Sequence, residues 1–157
     1  MNFIEQVLKE ILEGEQNRYG EVEYKFSDTE RTFRIQQVVF YLKTNPKLSL
    51  EEEKLLSSCI FWGLYDTPNM VEQFTVSFLP FLFLPAVRNG FSRRFDTDLS
   101  FDARISHTYA TLKDIQAFGL DSQTWISLAL ENLAKWPEGE KEEEDYKKLL
   151  QTLLLTN

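Results

Sequence analysis

Apolar residues recur every three or four positions along most of this chain, and that spacing limits its folds more than any other feature. A residue in an α-helix advances about 100°, so such a repeat lays one apolar stripe along a rod. A half-buried strand needs alternation at every second residue instead. Ile4, Val7, Leu8, Ile11 and Leu12 form the first stripe, with Glu5, Lys9 and Glu13 opposite and Gly14 as a stop. Ile35, Val38, Val39 and Leu42 form the second, over a helix expected from about Thr29 to Thr44. Leu55, Leu56, Cys59 and Ile60 form the third, widened by Phe61, Trp62, Leu64 and Tyr65, so this helix should be covered on more than one side. Ile105, Tyr109, Leu112 and Ile115 should face inward on another. Ile126, Ala129, Leu130 and Leu133 follow, with Trp125 and Trp136 alongside. Tyr146, Leu149, Leu150, Leu153 and Leu154 close the series.

The punctuation agrees. Ser27-x-x-Glu30 and Ser49-x-x-Glu52 have the form of capping boxes, in which serine and glutamate satisfy each other's backbone N–H at a helix start. Asn45-Pro46 ends one helix and Thr67-Pro68 opens another, which should run to about Leu79. Pro80 and Pro85 interrupt the chain, Asp98 or Ser100 caps the next helix, and Gly119 suits a C′ position. One stretch is divided. Val22, Tyr24 and Phe26 alternate with Glu21, Glu23 and Lys25 as a strand would, so a hairpin and a helix compete for residues 21–36. With 6 Gly and 5 Pro in 157 residues, an all-β sandwich lacks the turns it needs. The expected fold is mainly α, one domain over residues 1–157, a bundle of about seven to eight helices with a small β-hairpin as an option near residues 21–36. The segment 55–87 should be the most buried.

Composition excludes several function classes. A net charge of −8 repels phosphate backbones, which disfavours general nucleic-acid binding. The longest apolar run, Phe74–Val87, has 14 residues and two prolines, short of the roughly 20 that a membrane-spanning helix needs. No basic segment leads into an apolar one at the N-terminus, so no signal peptide is expected. The single cysteine, Cys59, rules out an intrachain disulfide and suits a reducing, cytoplasmic setting.

Chemistry-bearing residues are sparse. His107, the one histidine, falls on the polar side of its helix near Arg104, Thr111 and Asp114, and is expected to be a surface residue, with a general base oriented by Asp114 as its other use. Asp96, Asp98 and Asp102 could offer oxygen ligands to a cation but fit helix capping better. Cys59 sits among apolar neighbours that would keep its thiol inert. Glu140–Asp145 reads as a solvated helix start, with an acidic docking surface as its other use. Phosphate loops, serine-hydrolase elbows and paired metal motifs are all missing from the sequence. No catalytic residue, metal site or cofactor is therefore assigned.

The segment Arg88-Asn-Gly-Phe-Ser-Arg-Arg-Phe95 stands apart. No carboxylate occurs between Glu72 and Asp96, so this is a basic island in an acidic chain. Asn89-Gly90 has turn chemistry, and residues 88–98 read as a loop. Arginine and aromatic side chains dominate binding hot spots, so Arg88, Phe91, Arg93, Arg94 and Phe95 are the expected binding residues, for an anionic group or an acidic partner surface. The competing use of the two Phe is as core anchors, with the arginines paired to Asp96, Asp98 or Asp102. The functional expectation is a non-enzymatic protein-interaction protein (an inhibitor, immunity-type protein or adaptor) whose partner carries a basic surface, with self-association also open. The alternative is a helical ligand-binding domain or enzyme with a Phe/Trp-lined pocket around Phe74–Val87.

Overall fold

The computed structural model describes residues 3–18, 22–45, 47–63, 68–96, 99–120, 122–138 and 140–155, with the side chains of 68–72 and 153–155 outside the description. Eight α-helices and one antiparallel hairpin are found among the described residues: α1 (Phe3–Leu12), β1 (Gly14–Gln16), β2 (Val22–Tyr24), α2 (Asp28–Thr44), α3 (Leu50–Trp62), α4 (Pro68–Phe78), α5 (Pro85–Ser92), α6 (Phe101–Ala117), α7 (Gln123–Leu133) and α8 (Lys141–Leu155). This is the mainly α architecture that the apolar spacing implies. None of these helices is long and apolar enough to cross a membrane. The described residues gather into two compact units, 1–90 and 91–157, and α5 runs across the boundary.

In the first unit, the contest over residues 21–36 resolves into both elements. β1 pairs with β2 in the register Gly14↔Tyr24, Glu15↔Glu23 and Gln16↔Val22, so the hairpin's first strand lies upstream of residue 21. Ser27 then caps α2 in a complete box: Glu30 N–H donates to Ser27 Oγ at 3.2 Å, and Ser27 N–H donates to the Glu30 carboxylate at 3.1 Å. The Ser49–Glu52 box at the start of α3 is equally complete. Ile4, Val7, Leu8 and Ile11 of α1 are buried, as are Ile35, Val38 and Leu42 of α2 and Leu56, Cys59, Ile60 and Phe61 of α3. Leu55 is only half-buried. Arg31 is also buried; its Nε donates to Ile11 O at 2.9 Å and its guanidinium lies 3.5 Å from the Tyr24 ring centre. One side chain thereby satisfies a carbonyl at the end of α1 and clamps the hairpin. The expectations for Pro46, Leu64, Tyr65 and Thr67 lie outside the described residues.

The expected loop at residues 88–98 is the main correction to the element map, over residues 88–95; residues 97 and 98 lie outside the description. Pro85 opens α5, and helix continues through Asn89-Gly90 to Ser92, followed by a 3₁₀ turn at Arg93–Phe95. The dipeptide that resembles a turn serves a close helix contact. A Cβ on Gly90 would lie 2.8 Å from Ile60 Cβ and 2.9 Å from Ser57 O, and Ser57 Oγ donates to Asn89 Oδ1 at 2.6 Å. Glycine is required there by space, and asparagine by a hydrogen bond.

In the second unit, Phe91 and Phe95 pack on Trp125 with ring centres 6.0 and 5.1 Å away. Trp136 Nε1 donates to Phe95 O at 3.0 Å. Ile126, Leu128, Ala129 and Leu133 of α7 and Leu150 of α8 are buried too. Leu130 is half-buried, and Tyr146 and Leu149 are exposed. The side chains of Leu153 and Leu154 lie outside the description. Gly119 adopts φ +64° after α6, the left-handed C′ geometry expected of it.

The inward face of α6 differs from the expected one. Leu112 and Ile115 are buried as expected, but Ile105 and Tyr109 are only half-buried. Arg104, Thr108 and Thr111 take the inner positions instead.

Candidate interaction site

A groove lies on the surface of the first unit, built by α1 and α2. Phe33 and Phe40 are seven residues apart on α2, nearly two full turns, so they share one face. That face is opposite the stripe Ile35, Val38 and Leu42, which is already buried. Phe33 is 59 % exposed, Phe40 70 % and Phe3, at the start of α1, 65 %. Together with Gln36, Gln37, Tyr41, Thr44 and Asn45 they line a groove of about 470 Å³. The three Phe side chains leave on the order of 400 Å² of aromatic surface in water, since each carries roughly 150–250 Å². A patch of a few hundred Å² is the usual size of the largest apolar patch on a monomer, and such patches are often functional.

No described lining residue is charged. Charges stand beside the groove but are tied elsewhere: Arg34 Nε pairs with Glu10 at 2.7 Å, and the Arg34 guanidinium stacks 3.9 Å from the Phe26 ring centre. The hydrogen bond from Arg34 holds the Glu10 carboxyl below the usual range. Burial raises the Tyr41 phenol, and the Glu52 carboxylate adds to the rise, so Tyr41 stays protonated at neutral pH. Chemically, the lining supplies aromatic surface, carboxamides and hydroxyls. Its described residues hold no imidazole, thiol, carboxylate or amine; their hydroxyls are those of Tyr41 and Thr44.

The residues expected to bind are placed differently. Phe91, Arg94 and Phe95 come together in the second unit and are fully buried. Arg94 lies 4.5 Å from the Phe91 ring centre and donates from Nη1 to Thr111 Oγ1. Burial pushes its guanidinium down to about 9, against the pull of Asp114, so it remains charged at neutral pH. Arg88 and Arg93 are half-buried. The island therefore forms no exposed loop, and its two Phe serve as core anchors.

His107 shares the side of α6 with Arg104 and Thr111, as its spacing indicates, but that side faces inward. The imidazole is half-buried, and burial together with the Arg94 charge holds its pKa below the ordinary 6.5. Arg104 is buried too, pairing with Glu143 at 2.8 Å and stacking 4.5 Å from the Trp136 ring centre. Part of the acidic run at α8 thus has a structural use. Ser100 caps α6, accepting from Ala103 N–H at 3.2 Å; Asp98 lies outside the described residues. No group of three or more His, Cys, Asp or Glu side chains among the described residues could hold a metal ion. Cys59 is buried, 3.5 Å from Leu8 O.

Phe3, Phe33 and Phe40 were not among the residues that sequence pointed to. A signal was there: Phe33 and Phe40 repeat at seven residues on a helix whose core stripe is complete without them. These features define a helical protein with an uncharged aromatic groove. No protein-family model, curated protein or solved structure matches the chain.

Proposed function

We propose that this chain is a non-enzymatic interaction protein, an inhibitor, immunity-type protein or adaptor, that docks another protein through the Phe3/Phe33/Phe40 groove. The observation that carries this reading is the exposure of three aromatic side chains around one neutral groove. Aromatic anchors supply much of the energy of protein interfaces when a partner removes them from water. The aromatic and carboxamide character of the lining favours binding over catalysis. The net charge of −8 would draw a partner with a basic surface into encounter, faster at low salt than at high. A cytoplasmic setting suits the single buried thiol, and the acidic balance keeps nucleic acid out of the reading. Any contribution from the arginine island would fall to its half-buried members Arg88 and Arg93, each open to a charge-reversal test.

The test is affinity capture with wild type and a Phe33→Ser/Phe40→Ser variant. A stoichiometric partner should be retained by the first and lost by the second, with both equally folded by circular dichroism. A partner held equally by both would remove the groove from the interface. A second reading rests on the groove's volume, which falls within the roughly 300–1,000 Å³ of small-molecule sites. It requires that a small apolar ligand raise the melting temperature in a Phe40-dependent way.

A further inference from the structure

We infer that the occupant of the α2 groove is a second copy of this chain, packed antiparallel about a two-fold axis at Gln36/Gln37. This rests on the docking reading above and names the partner.

Charge points to self-pairing at this face. Two copies that each carry a net charge of −8 repel at long range, so they meet at least cost through an uncharged face. The groove is such a face, because its eight described lining residues carry no charge. A partner with a basic surface would be met by the acidic surface outside the groove, since the described lining presents no carboxylate to it.

Self-complementarity follows from the spacing. A two-fold contact brings residue i of one copy to residue j of the other, and j to i. Phe33 and Phe40 flank Gln36 and Gln37 symmetrically. An antiparallel pair of α2 helices centred there places Phe33 against the other copy's Phe40, twice, with the glutamines at the axis. A carboxamide both donates and accepts, so glutamine pairs with glutamine without leaving a polar group unmatched. The aromatic residues alone provide part of the area a dimer needs. The three Phe supply on the order of 400 Å², about half of the roughly 800 Å² that each side of a standard interface contributes. Tyr41, Thr44, Asn45 and the glutamines extend it on the same face.

The experiment is sedimentation equilibrium over about 1–100 µM, with four chains compared. Wild type should weigh twice 18.5 kDa at the upper concentrations. Phe33→Lys and Phe40→Glu should each weaken pairing by at least ~30-fold, the effect of losing one hot-spot residue. The double variant should regain much of the loss, because in this register the new ammonium on one copy meets the new carboxylate on the other. A structural role in the monomer would give no such rescue. Gln36→Cys should also form a disulfide-linked dimer on mild oxidation, while Ser127→Cys, on an exposed site of α7, should not. The buried Cys59 should take no part.

A wild type that stays monomeric at 100 µM overturns the inference, as does a dimer untouched by Phe40→Glu. If that monomer still binds a different protein through Phe40, self-pairing fails and the docking reading stands. If it binds nothing through Phe40, both fail.

Discussion

Two helices of equal length, α2 and α6, each with 17 residues, treat their polar and apolar faces in opposite ways. Helix α2 buries Ile35, Val38 and Leu42 and still shows Phe33 and Phe40 to solvent. Helix α6 buries Arg104, Thr108 and Thr111 while Ile105 and Tyr109 stay half-covered. The difference lies in what faces each one. The inner side of α2 meets apolar α1, and its one buried charge, Arg31, caps a carbonyl and an aromatic ring. The inner side of α6 meets Arg94 and Glu143, so hydroxyls and a guanidinium belong there. Burial follows the partner's chemistry, and a polar side chain goes inside where a matching group waits.

The largest effect should come from the buried stripe of α2. Ile35→Ala removes a fully buried side chain and should cost about 2–5 kcal/mol, read by urea denaturation. A loss below ~1 kcal/mol would mean that α2 does not anchor the first unit. Next is the polar face of α6. Thr111→Val keeps the shape but takes away the oxygen that Arg94 Nη1 bonds, and should cost about 1–3 kcal/mol. A neutral result would make that face ordinary packing and dissolve the contrast.

A smaller effect should appear with pH. His107 titrates below 6.5 in the fold, so the unfolded chain binds the proton more readily. The stability tied to its neutral form is complete above pH 6.5 and is lost as pH falls through the lower, folded value. Glu10 and Glu30, held low by their partners, add their own losses only below about 4.5. Melting temperature should therefore begin to drop below pH 6.5, and His107→Gln should flatten the first part of that drop. An unchanged slope would put the imidazole in water. The smallest effect should be that of Phe40→Ala on monomer stability, within about ±0.5 kcal/mol. A cost near that of Ile35→Ala would show that Phe40 belongs to the core, and the groove would no longer be a spare face.

Much of the architecture can be read from local signals. Helix periodicity, the two Ser/Glu boxes, Pro68 and Gly119 all act within a turn or two of chain, through backbone hydrogen bonds and allowed dihedral angles. Such features need no knowledge of distant neighbours, and they mark the elements correctly. The candidate site was less legible. Asn89-Gly90 has turn chemistry, yet it sits inside a helix because Ser57 and Ile60 approach it. Phe33 and Phe40 look like core residues, yet the core is closed without them.

The rods and their ends are written into the order of residues, because they arise from contacts between near neighbours along the chain. Which face of each rod is covered was decided only in three dimensions. That choice depends on groups far apart in sequence: Ile11 for Arg31, Ser57 for Asn89, Thr111 for Arg94. A side chain's polarity states the cost of burying it, and only a folded neighbour can cancel that cost.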